Sequence, residues 1–351
     1  MTSTTADRGV IILAGGRGER FWPWSTAARP KQLLPLASGG RTLLRATFER
    51  ALRAGIDRDR IAVITSQDLR EACQHECPGV RIYGEPMMRN TAPAIAAASS
   101  TFGQESALAV LPSDHAIDDE TAFAADLERA FALAAREAVL VTFGIRPRAP
   151  ETNFGYLHLG ARLAERLHRV AQFKEKPDRA TAEVWVASGE YLWNSGMFVW
   201  GRRTFFDALR AFHPEIAALE SFGLGGGPEA FAQALKPRFE PLPSISVDYA
   251  VLEHAPNVVT IEAAFDWDDL GSWGAWARRQ PRDARGNVTW GSAVPVDCDG
   301  CVVVGDGIPA APLGLRDMVV VATPNGTLAC RIEDSDQVRR ATEAVRARAA
   351  S

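Results

Sequence analysis

Short apolar runs alternate with amphipathic stretches along the N-terminal part of the chain. The run Val10–Ala14 is continuously apolar and rich in β-branched residues, which is typical of a strand buried in a parallel sheet. Arg41–Ala54 instead carries apolar residues at helical spacing and ends before Gly55, a common C-terminal residue of helices. The same alternation predicts strands at Ile61–Thr65, Arg81–Gly84, Leu108–Leu111 and Ala138–Phe143, and helices at Thr91–Phe102 and Ala122–Ala138. Together these elements predict an α/β fold with a mainly parallel sheet covered by helices.

The pattern loosens after Phe154 and changes again near Arg285. Between these points we predict strands at Gly155–Leu159, Arg169–Lys174 and Gly196–Trp200, and helices at Arg179–Ser188, Thr204–Phe212, Val247–His254 and Ser272–Arg279. The glycine-rich Gly223–Pro228 is interpreted as a surface loop because no strand leads into it. The last part predicts strands at Asn287–Trp290, Cys301–Val304, Met318–Ala322 and Thr327–Arg331, then a helix at Ser335–Ala349. We therefore expect a disordered segment over 1–9, an α/β domain over 10–285 and a small β-rich domain over 286–351.

Composition and charge narrow the class of protein. The chain has 351 residues, of which 46% are hydrophobic and 23% charged, as in ordinary globular proteins. Its formal net charge of −4 argues against a protein that coats nucleic acid or an anionic membrane. No apolar run is long enough to cross a membrane, and the polar N-terminus does not resemble a signal peptide. Five cysteines in so long a chain fit a reducing compartment, so we expect a cytoplasmic protein without nucleic-acid or membrane partners.

Lysine is rare in this sequence. The chain has 35 arginines but only four lysines, namely Lys31, Lys174, Lys176 and Lys236. Where arginine has replaced most lysines, a lysine that persists is a candidate for a position that requires a compact ammonium group. Lys174 points to the opposite face of its predicted strand from Glu175, so we expect it to be solvated, and Lys236 is expected in a loop.

A glycine-rich loop follows directly after the first predicted strand. Gly15, Gly16 and Gly18 allow backbone N–H groups to approach an anion closely, and Arg20 and Lys31 supply positive charge. Such a combination suits a nucleoside triphosphate. The spacing matches neither the Walker A motif nor the dinucleotide-binding fingerprint, which argues against a hydride-transferring dinucleotide enzyme. A tight turn with solvated arginines is the alternative that the loop alone leaves open.

The segment LAGGRGERFWPWSTAARPKQLLPL, which spans Leu13–Leu36, resembles the signature of the nucleotide-sugar pyrophosphorylases, and among them the mannose-1-phosphate guanylyltransferases. Further matches follow in order at Glu85–Pro86, Arg89–Ile95, Leu111–His115, Asn153–Tyr156, Phe173–Pro177, Trp193–Phe198, Val247–Glu253 and Phe265–Trp273. The resemblance implies a Rossmann-like, GT-A-like nucleotidyltransferase domain with a mixed, mainly parallel sheet and helices on both faces. It also implies a small C-terminal domain resembling a left-handed β-helix.

The resemblance also implies which residues bind the substrates. Arg20, Lys31 and Lys176 would be the catalytic residues. The nucleotide would contact Leu13, Ala14, Gly15, Gly16, Arg17, Gly18, Asn90, Thr91, Pro93 and Ser113. The sugar phosphate would contact Gly155, Glu175, Lys176 and Asn194. Physically, a lysine can hold an attacking phosphate beside a second phosphate and offset their repulsion, while amide and carboxylate groups can bind sugar hydroxyls.

Two acidic positions are candidate metal ligands. Asp114 follows a buried strand, and Asp266, Asp268 and Asp269 are crowded before Gly271. The resemblance selects Asp114 and Asp269 as ligands of Mg²⁺ or another divalent cation, which would neutralise phosphate oxygens. The alternatives are a helix N-cap for Asp114 and a solvated turn for the later cluster. His115 receives no assigned role.

The implied reaction is nucleotidyl transfer from GTP to α-D-mannose 1-phosphate, giving GDP-mannose and pyrophosphate. Alternatives are the same chemistry on another pair, such as manno-heptose 1-phosphate or glucose 1-phosphate with a different nucleotide, and a non-catalytic regulatory homologue that binds a nucleotide sugar. The isomerase domain of some relatives is not expected here, whereas a homodimer is.

Cys298 and Cys301, with Cys73, His75 and Cys77 elsewhere, are candidate zinc ligands. Spacing alone does not bring the two clusters together, so we predict a hairpin turn at 298–301 instead of a zinc site.

Overall fold

The computed structural model describes residues 7–16, 18–223 and 227–349. They form two compact units, each built from separate stretches of the chain. The first unit takes in the described residues of Met1–Gly15, Thr47–Ser113 and Ile117–Trp267, and the second those of Gly16–Ala46, Asp114–Ala116 and Asp268–Ser351. The expected domain boundaries along the chain stay predictions. β1 begins at Arg8, however, so Arg8 and Gly9 belong to a strand and not to a disordered terminus.

A mixed sheet forms the centre of the first unit. Its strands in the described residues are β1 (Arg8–Leu13), β2 (Ile61–Ser66), β3 (Arg81–Glu85), β4 (Ala107–Pro112), β5 (Leu140–Ile145), β6 (Gly155–Ala164), β7 (Leu167–Glu175), β8 (Tyr191–Gly201) and β9 (Val258–Glu262). They are arranged in the order β3–β2–β1–β4–β8–β5–β9–β7–β6. β7 and β8 run opposite to the other strands. The predicted α/β class with a mixed, mainly parallel sheet is confirmed.

The register of the parallel strands brings several strand ends together. Ile11 of β1 is paired with Ala62 of β2 on one side and with Val110 of β4 on the other, and these three positions are buried. Leu13 is likewise opposite Pro112, and the main-chain oxygen of Leu13 accepts a hydrogen bond from Ser113 at 3.0 Å. The carboxyl ends of parallel strands meet at one edge of a sheet, where α/β proteins bind their ligands.

The described helices are α1 (Leu43–Arg53), α2 (Arg70–Glu76), α3 (Thr91–Ser99), α4 (Glu120–Ala134), α5 (Arg179–Ser188), α6 (Arg202–Phe212), α7 (Pro214–Ala217), α8 (Gly227–Phe239), α9 (Trp273–Arg278) and α10 (Val338–Ala349). One predicted helix is present in part and in the π form, and one predicted loop was wrong at its end. The predicted helix over Val247–His254 contains a π-helical turn at Asp248–Leu252, and Gly227 and Pro228 begin α8 instead of continuing a surface loop. The rest of that predicted loop, 224–226, lies outside the described residues.

α8 also contains Lys236, which was expected in a loop. Its signal was present in the sequence, since Phe231, Leu235 and Phe239 repeat every four residues and are buried. The strand β9 was not predicted either.

The second unit contains a four-stranded sheet of β10 (Val288–Ala293), β11 (Val302–Ala310), β12 (Met318–Thr323) and β13 (Gly326–Arg331). β10, β11 and β12 are parallel, whereas β13 is antiparallel to β12. The predicted β-rich C-terminal region is confirmed, but the hairpin at Cys298–Cys301 is wrong because the strands on either side of it are parallel. The segment is a corner, with positive φ angles of 50° at Asp297 and 65° at Gly300.

The core of this unit is aromatic as well as aliphatic. Val302, Val304, Val319 and Val321 are buried at alternate strand positions. They belong to one cluster with Trp24, Trp273 and Trp276.

Among the described residues, no helix has both the length and the apolar character that crossing a membrane requires.

Candidate functional site

The glycine loop packs closely against Lys31. Gly18 has a positive φ of 59°, and a Cβ added there would overlap the backbone nitrogen and Cβ of Lys31. The side-chain amide of Gln32 donates to the main-chain oxygen of Gly16 at 3.0 Å. Gly16 faces open space. The glycines therefore differ, since a side chain at Gly18 would meet Lys31 whereas one at Gly16 would meet no other described residue within 4 Å.

Lys31 lies between the two predicted metal ligands. Its Nζ donates to Asp114 Oδ2 at 2.9 Å and also to the main-chain oxygen of Asp269. The lysine side chain is only 9% exposed, while that of Asp114 is 41% exposed. Arg20 Nη1 lies 4.0 Å from Asp269 Oδ2. The structure thus brings Arg20, Lys31, Asp114 and Asp269 into one group, with Asp114 open toward solvent.

The two carboxyls of this group differ in their charge preference. Burial disfavours the ionised form of Asp114, but attraction to Lys31 and then His115 outweighs it and lowers the pKa of this carboxyl to about 2. The pKa of Asp269 is raised, mainly by burial and further by repulsion from Asp268 and Asp114, although Lys31 opposes the shift. Binding of a cation would favour the ionised form of both.

The alternatives for these acidic residues do not describe the structure. Asp114 caps none of the described helices, since α4 begins at Glu120 and its N-cap is Asp119. The later acids are not a uniformly solvated turn either. Asp268 is buried and accepts a hydrogen bond from the Leu270 N–H at 2.8 Å, whereas Asp266 accepts from backbone N–H groups at Asp118 and Asp119.

His115 is buried, and its Nε2 lies 3.9 Å from Asp114 Oδ1.

Several residues predicted to contact the nucleotide form hydrogen bonds to other residues of the first unit. Ala14 is buried, its N–H donates to Ile64, and its carbonyl accepts from the Thr65 hydroxyl. The hydroxyl of Thr91 accepts from the Val247 N–H at 2.9 Å. The groups of Ala14 thus connect β1 to β2, and the hydroxyl of Thr91 connects the start of α3 to Val247.

The remaining predicted contacts of this group are Asn90, Pro93, Ser113 and Arg17. Asn90 caps α3 by accepting from the Thr91 N–H. Pro93 is buried inside α3, and Ser113 is buried after β4. Arg17 lies outside the described residues.

Glu85, at the end of β3, was not among the predicted site residues. A Cβ added to Gly15 would lie 3.5 Å from Glu85 Oε1, so the carboxylate is beside the glycine loop. Within the described part of the chain, this partly buried carboxyl has no hydrogen bond or ion pair. Burial raises its pKa to about 8. Its signal in the sequence is an acidic residue that ends a buried parallel strand, the same signal that singled out Asp114.

The predicted sugar-phosphate residues also lie together. A Cβ on Gly155 would overlap Glu175 Oε2 and would lie 3.4 Å from the Cβ of Asn194, so the missing side chain gives space to Glu175. Lys176 Nζ lies 3.7 Å from Glu175 Oε1, with the lysine side chain 60% exposed. Lys176 has a positive φ of 50°, which is strained for a residue other than glycine. Lys174 is exposed, as expected.

A second carboxyl, that of Asp248, completes this group and was not predicted as a site residue. Asn194 Nδ2 donates to Asp248 Oδ1 at 3.0 Å. Burial, and then repulsion from Asp248, raises the pKa of Glu175 to about 7 although Lys176 opposes it. Burial raises the pKa of Asp248 to about 6 against the effect of its hydrogen bonds. Its signal in the sequence was its place in the family-like segment Val247–Glu253, but only the contact with Asn194 shows that it belongs to this group.

The cysteines considered for zinc all lie in the described part of the chain, and they do not form a zinc site. Within the described ranges, no three side chains among His, Cys, Asp and Glu come together as a possible metal site. Cys298 and Cys301 are buried in a small apolar cluster, and the Cys298 thiol contacts the main-chain oxygens of Val296 and Pro312.

Comparison with known proteins identifies the family. The family model described as nucleotidyl transferase matches residues 9–285, and the model described as MannoseP isomerase/GMP-like beta-helix domain matches residues 291–344. The chain belongs to the nucleotidyl transferase family. It is 39% identical to the xanthan biosynthesis protein XanB of Xanthomonas campestris pv. campestris over 95% of this chain and 72% of that protein. It is 36% identical to a mannose-1-phosphate guanylyltransferase of Klebsiella pneumoniae over 95% of this chain and 73% of the relative.

Solved structures support the same family. A crystal structure described as mannose-1-phosphate geranyltransferase from Thermus thermophilus has a TM-score of 0.86 and 34% sequence identity, covering 97% of this chain and 99% of that one. The resemblance to mannose-1-phosphate guanylyltransferases within the nucleotidyl transferase family is therefore confirmed. The family accounts for both sheets, since its transferase domain and its β-helix-like domain match the two regions in order.

Proposed function

We propose that this nucleotidyl transferase moves the guanylyl group of GTP to α-D-mannose 1-phosphate, forming GDP-mannose and releasing pyrophosphate. The observation that carries the proposal is the buried Lys31, which contacts both Asp114 and the backbone of Asp269 beside the glycine loop. A buried ammonium with acidic neighbours and an open glycine backbone suits a polyphosphate with its cation. The names of the relatives support mannose 1-phosphate and the guanylyl group as its partners.

The reaction itself is a direct displacement at phosphorus. A phosphate oxygen of the sugar phosphate attacks the α-phosphorus of GTP, and the bond from that phosphorus to the oxygen bridging to the β-phosphorus breaks. The electron pair stays on the leaving pyrophosphate, where Arg20 and Lys31 would stabilise the added charge. The attacking phosphate is ionised at neutral pH, so no general base is needed and no covalent enzyme intermediate forms.

The donor set of this group fits a magnesium ion. Asp114 and Asp269 offer hard carboxylate oxygens, and Mg²⁺ is usually held by one or two carboxylates together with substrate phosphates. When bound, the ion would neutralise charge on the phosphate oxygens. The pKa of Asp114, already lowered to about 2, keeps this ligand ionised at any physiological pH.

On the sugar side, Lys176 would hold the phosphate of mannose 1-phosphate. Its ammonium is exposed at the end of β7, and Glu175 beside it lies at a distance of 3.7 Å. An exposed ammonium can meet an incoming phosphate without first losing a buried partner. Glu175 and Asn194 would bind hydroxyl groups of the ring.

Glu85 supports guanine as the base. Guanine presents two adjacent donors, N1–H and the 2-amino group, and a carboxylate can accept from both at once. None of the bases adenine, cytosine, uracil and thymine offers such a pair on its pairing edge. This partly buried carboxyl lies next to Gly15 and has no hydrogen bond or ion pair with any residue that the structure describes, which suits it to this role. Its ionised form would be required, because the protonated acid keeps only one good acceptor.

The location and assembly of the protein extend the proposal. Five free cysteines, four of them buried, support a cytoplasmic location. A homodimer stays a prediction.

The test is pyrophosphate release by the purified protein with Mg²⁺, crossing GTP, ATP, dTTP, UTP and CTP with mannose 1-phosphate, glucose 1-phosphate and manno-heptose 1-phosphate. We expect release chiefly with GTP and mannose 1-phosphate, lost on chelation and restored by Mg²⁺. Release with another pair would overturn the substrates but not the chemistry. No release with any pair, together with retained binding of a nucleotide sugar, would favour a regulatory protein instead.

A further inference from the structure

The carboxyl group of Asp248 is held at an unusual point of the backbone. Asp248 begins the π-helical turn Asp248–Leu252, in which the Glu253 N–H donates to the main-chain oxygen of Asp248 at 3.0 Å. π-helical turns are rare in proteins, and those that occur often lie at functional sites. The preceding residues are fixed as well, since the Val247 N–H donates to the Thr91 hydroxyl and the Ile245 N–H to the main-chain oxygen of Arg89. The position of the carboxyl is therefore set by the fold on both sides.

A directed chain of hydrogen bonds reaches Asp248 through Asn194. The hydroxyl of Thr142 donates to Asn194 Oδ1 at 2.8 Å, and Asn194 Nδ2 donates to Asp248 Oδ1 at 3.0 Å. A carboxylate only accepts, so the amide must face Asp248 with its nitrogen. Hydrogen bonds at both Oδ1 and Nδ2 thus fix the orientation of the Asn194 amide. The second N–H of Nδ2 therefore points in a fixed direction and can donate to a ligand.

Glu175 completes an arrangement of three polar side chains. Glu175 and Asn194 both face the space beside Gly155, where a Cβ would meet each of them. Glu175 and Asp248 are near enough to repel each other, and burial disfavours the charge of both. Hydrogen-bond donors placed beside two partly buried carboxyls stabilise their ionised forms and offset their mutual repulsion. Neighbouring hydroxyl groups of a sugar are such donors.

We propose that Asp248 determines sugar specificity by accepting a hydrogen bond from one ring hydroxyl while Glu175 accepts from a neighbouring one, with Asn194 held between them as a donor. The ligand class is a hexose 1-phosphate with two free hydroxyls on adjacent carbons. This inference rests on the proposed function, because it assigns the sugar to the group around Lys176. A site built to bind a hydroxyl rejects an analogue that lacks it more strongly than a hydrophobic pocket rejects a change in size.

The test compares Asp248→Asn with a matched control, Glu253→Gln. Glu253 contributes negative charge near Glu175 but forms no hydrogen bond to Asn194 among the described residues. We expect Asp248→Asn to raise the KM for mannose 1-phosphate by roughly 10- to 100-fold, the range for a lost charge-assisted hydrogen bond, and the KM for GTP by less than about twofold. The control should leave both constants within about threefold of wild type.

Deoxy analogues separate a specificity role from a merely structural one. Wild type and Asp248→Asn are assayed with mannose 1-phosphates that lack the 2-, 3- or 4-hydroxyl. We expect the penalty in kcat/KM for one of these analogues to shrink at least about fivefold in the variant, because the partner of that hydroxyl is already gone. Equal penalties in both proteins, or a parallel rise in the KM for GTP, would overturn the role of Asp248.

Calorimetric titration of the protein with each sugar 1-phosphate, beside the turnover assay, distinguishes a failure of this inference about Asp248 from a failure of the proposed function. If wild type turns over and Asp248→Asn matches it, the inference fails and the proposed function stands. If another sugar phosphate is the substrate, the proposed substrate fails, and the same variants and the corresponding deoxy analogues decide the role of Asp248. A wild-type protein that neither binds nor turns over any of the sugar phosphates overturns both.

Discussion

Two groups of this protein each contain one lysine and two acids, but only the group whose lysine is buried contains an acid with a lowered pKa. In the Lys31 group, which is Lys31, Asp114 and Asp269, the lysine is buried and hydrogen-bonded to Asp114, the pKa of Asp114 is lowered to about 2, and the pKa of Asp269 is raised mainly by burial. In the Lys176 group, which is Lys176, Glu175 and Asp248, the lysine is exposed, and the pKa values of the acids are raised to about 7 and about 6. The same residue types thus prepare one group for cations and the other for hydroxyl donors.

The difference shows that the position of the ammonium controls the charge of the acid. Burial is the largest influence on the pKa of Asp114 and raises it, but Lys31 at 2.9 Å, His115 and the hydrogen bonds of the carboxylate together outweigh burial, because they act through little water. A lysine exposed to solvent is screened, so burial of the carboxyl dominates instead. Substitutions at Lys31, Lys176, Glu85 and Asp266 test this contrast, with expected effects that decrease in that order.

Removal of Lys31 should have the largest effect. We expect Lys31→Ala to lower kcat about 100- to 1000-fold, because a buried donor to the phosphates and the partner of Asp114 are lost together. Lys31→Arg should not restore activity, since the buried ammonium is held between Asp114 Oδ2 and the main-chain oxygen of Asp269, where a larger guanidinium would not fit the same contacts. Steady-state pyrophosphate release measures both variants. An arginine variant within tenfold of wild type would show that the enclosure does not select lysine.

Lys176 should behave differently under the same substitutions. We expect Lys176→Ala to lower turnover about 100-fold with the KM for GTP largely unchanged, because only the sugar phosphate loses its contact. Lys176→Arg should retain activity within about tenfold, since the exposed end of the side chain has room for a guanidinium. Equal losses in turnover and in GTP affinity would contradict the assignment.

The pH profile of Lys176→Ala gives a second readout. Lys176 opposes the raised pKa of Glu175, so its removal should raise that pKa further above about 7. The pH at which the sugar-phosphate KM falls should therefore move upward in this variant. A profile that does not move would show that the two side chains are not coupled in solution.

Glu85 extends the contrast to an acid that forms no ion pair with any of the described residues. We expect Glu85→Gln to raise the KM for GTP about tenfold, because the amide offers guanine one acceptor in place of two. Wild type should bind GTP more tightly as pH rises toward about 8, where the carboxyl ionises, and the variant should lose this dependence.

Stability should respond to pH in the direction opposite to GTP binding. As pH rises, the wild-type protein should lose stability that the Glu85→Gln variant does not lose. Because the folded pKa is raised from 4.5 to about 8, the contribution of Glu85 to stability is complete below about pH 4.5 and is lost as pH rises through about 8. The free energy of unfolding of the variant should therefore gain on that of wild type across this window, as urea denaturation at several pH values would measure. A constant difference would mean that the carboxyl is not buried as described.

Asp266 should show the smallest effect and serves as the control for Asp269. Its carboxylate accepts from two backbone N–H groups, and an amide oxygen can keep part of this role. We expect Asp266→Asn to change kcat less than about threefold and the free energy of unfolding by about 1 kcal/mol, whereas Asp269→Asn should raise the Mg²⁺ concentration needed for activity about tenfold. Similar metal dependence in both variants would remove Asp269 from the proposed ligands.

Local patterns in the sequence determined much of the fold. The apolar runs of β1, β2, β4 and β5 and the alternation with helices predict the α/β class, because burial on both faces leaves a continuous apolar strand. The glycine loop and Lys31 were found from the residues themselves, since phosphate binding needs those residue types after a buried strand, whereas the family resemblance selected Asp114 among the candidate acids. The helix α8 was missed although its period of four was visible, because a glycine-rich start outweighed it.

Only the tertiary structure decided how these residues act. The sequence by itself determined that lysine is scarce and therefore informative, but not that Lys31 is buried while Lys176 is exposed. Glu85 and Asp248 lie in segments that resemble the family, but the sequence did not assign them to a site, because one depends on the approach of Gly15 from another strand and the other on a hydrogen bond across 54 positions of the chain. The charge of a carboxyl depends on burial and on neighbours distant in sequence, and those are set by the packing of strands and helices.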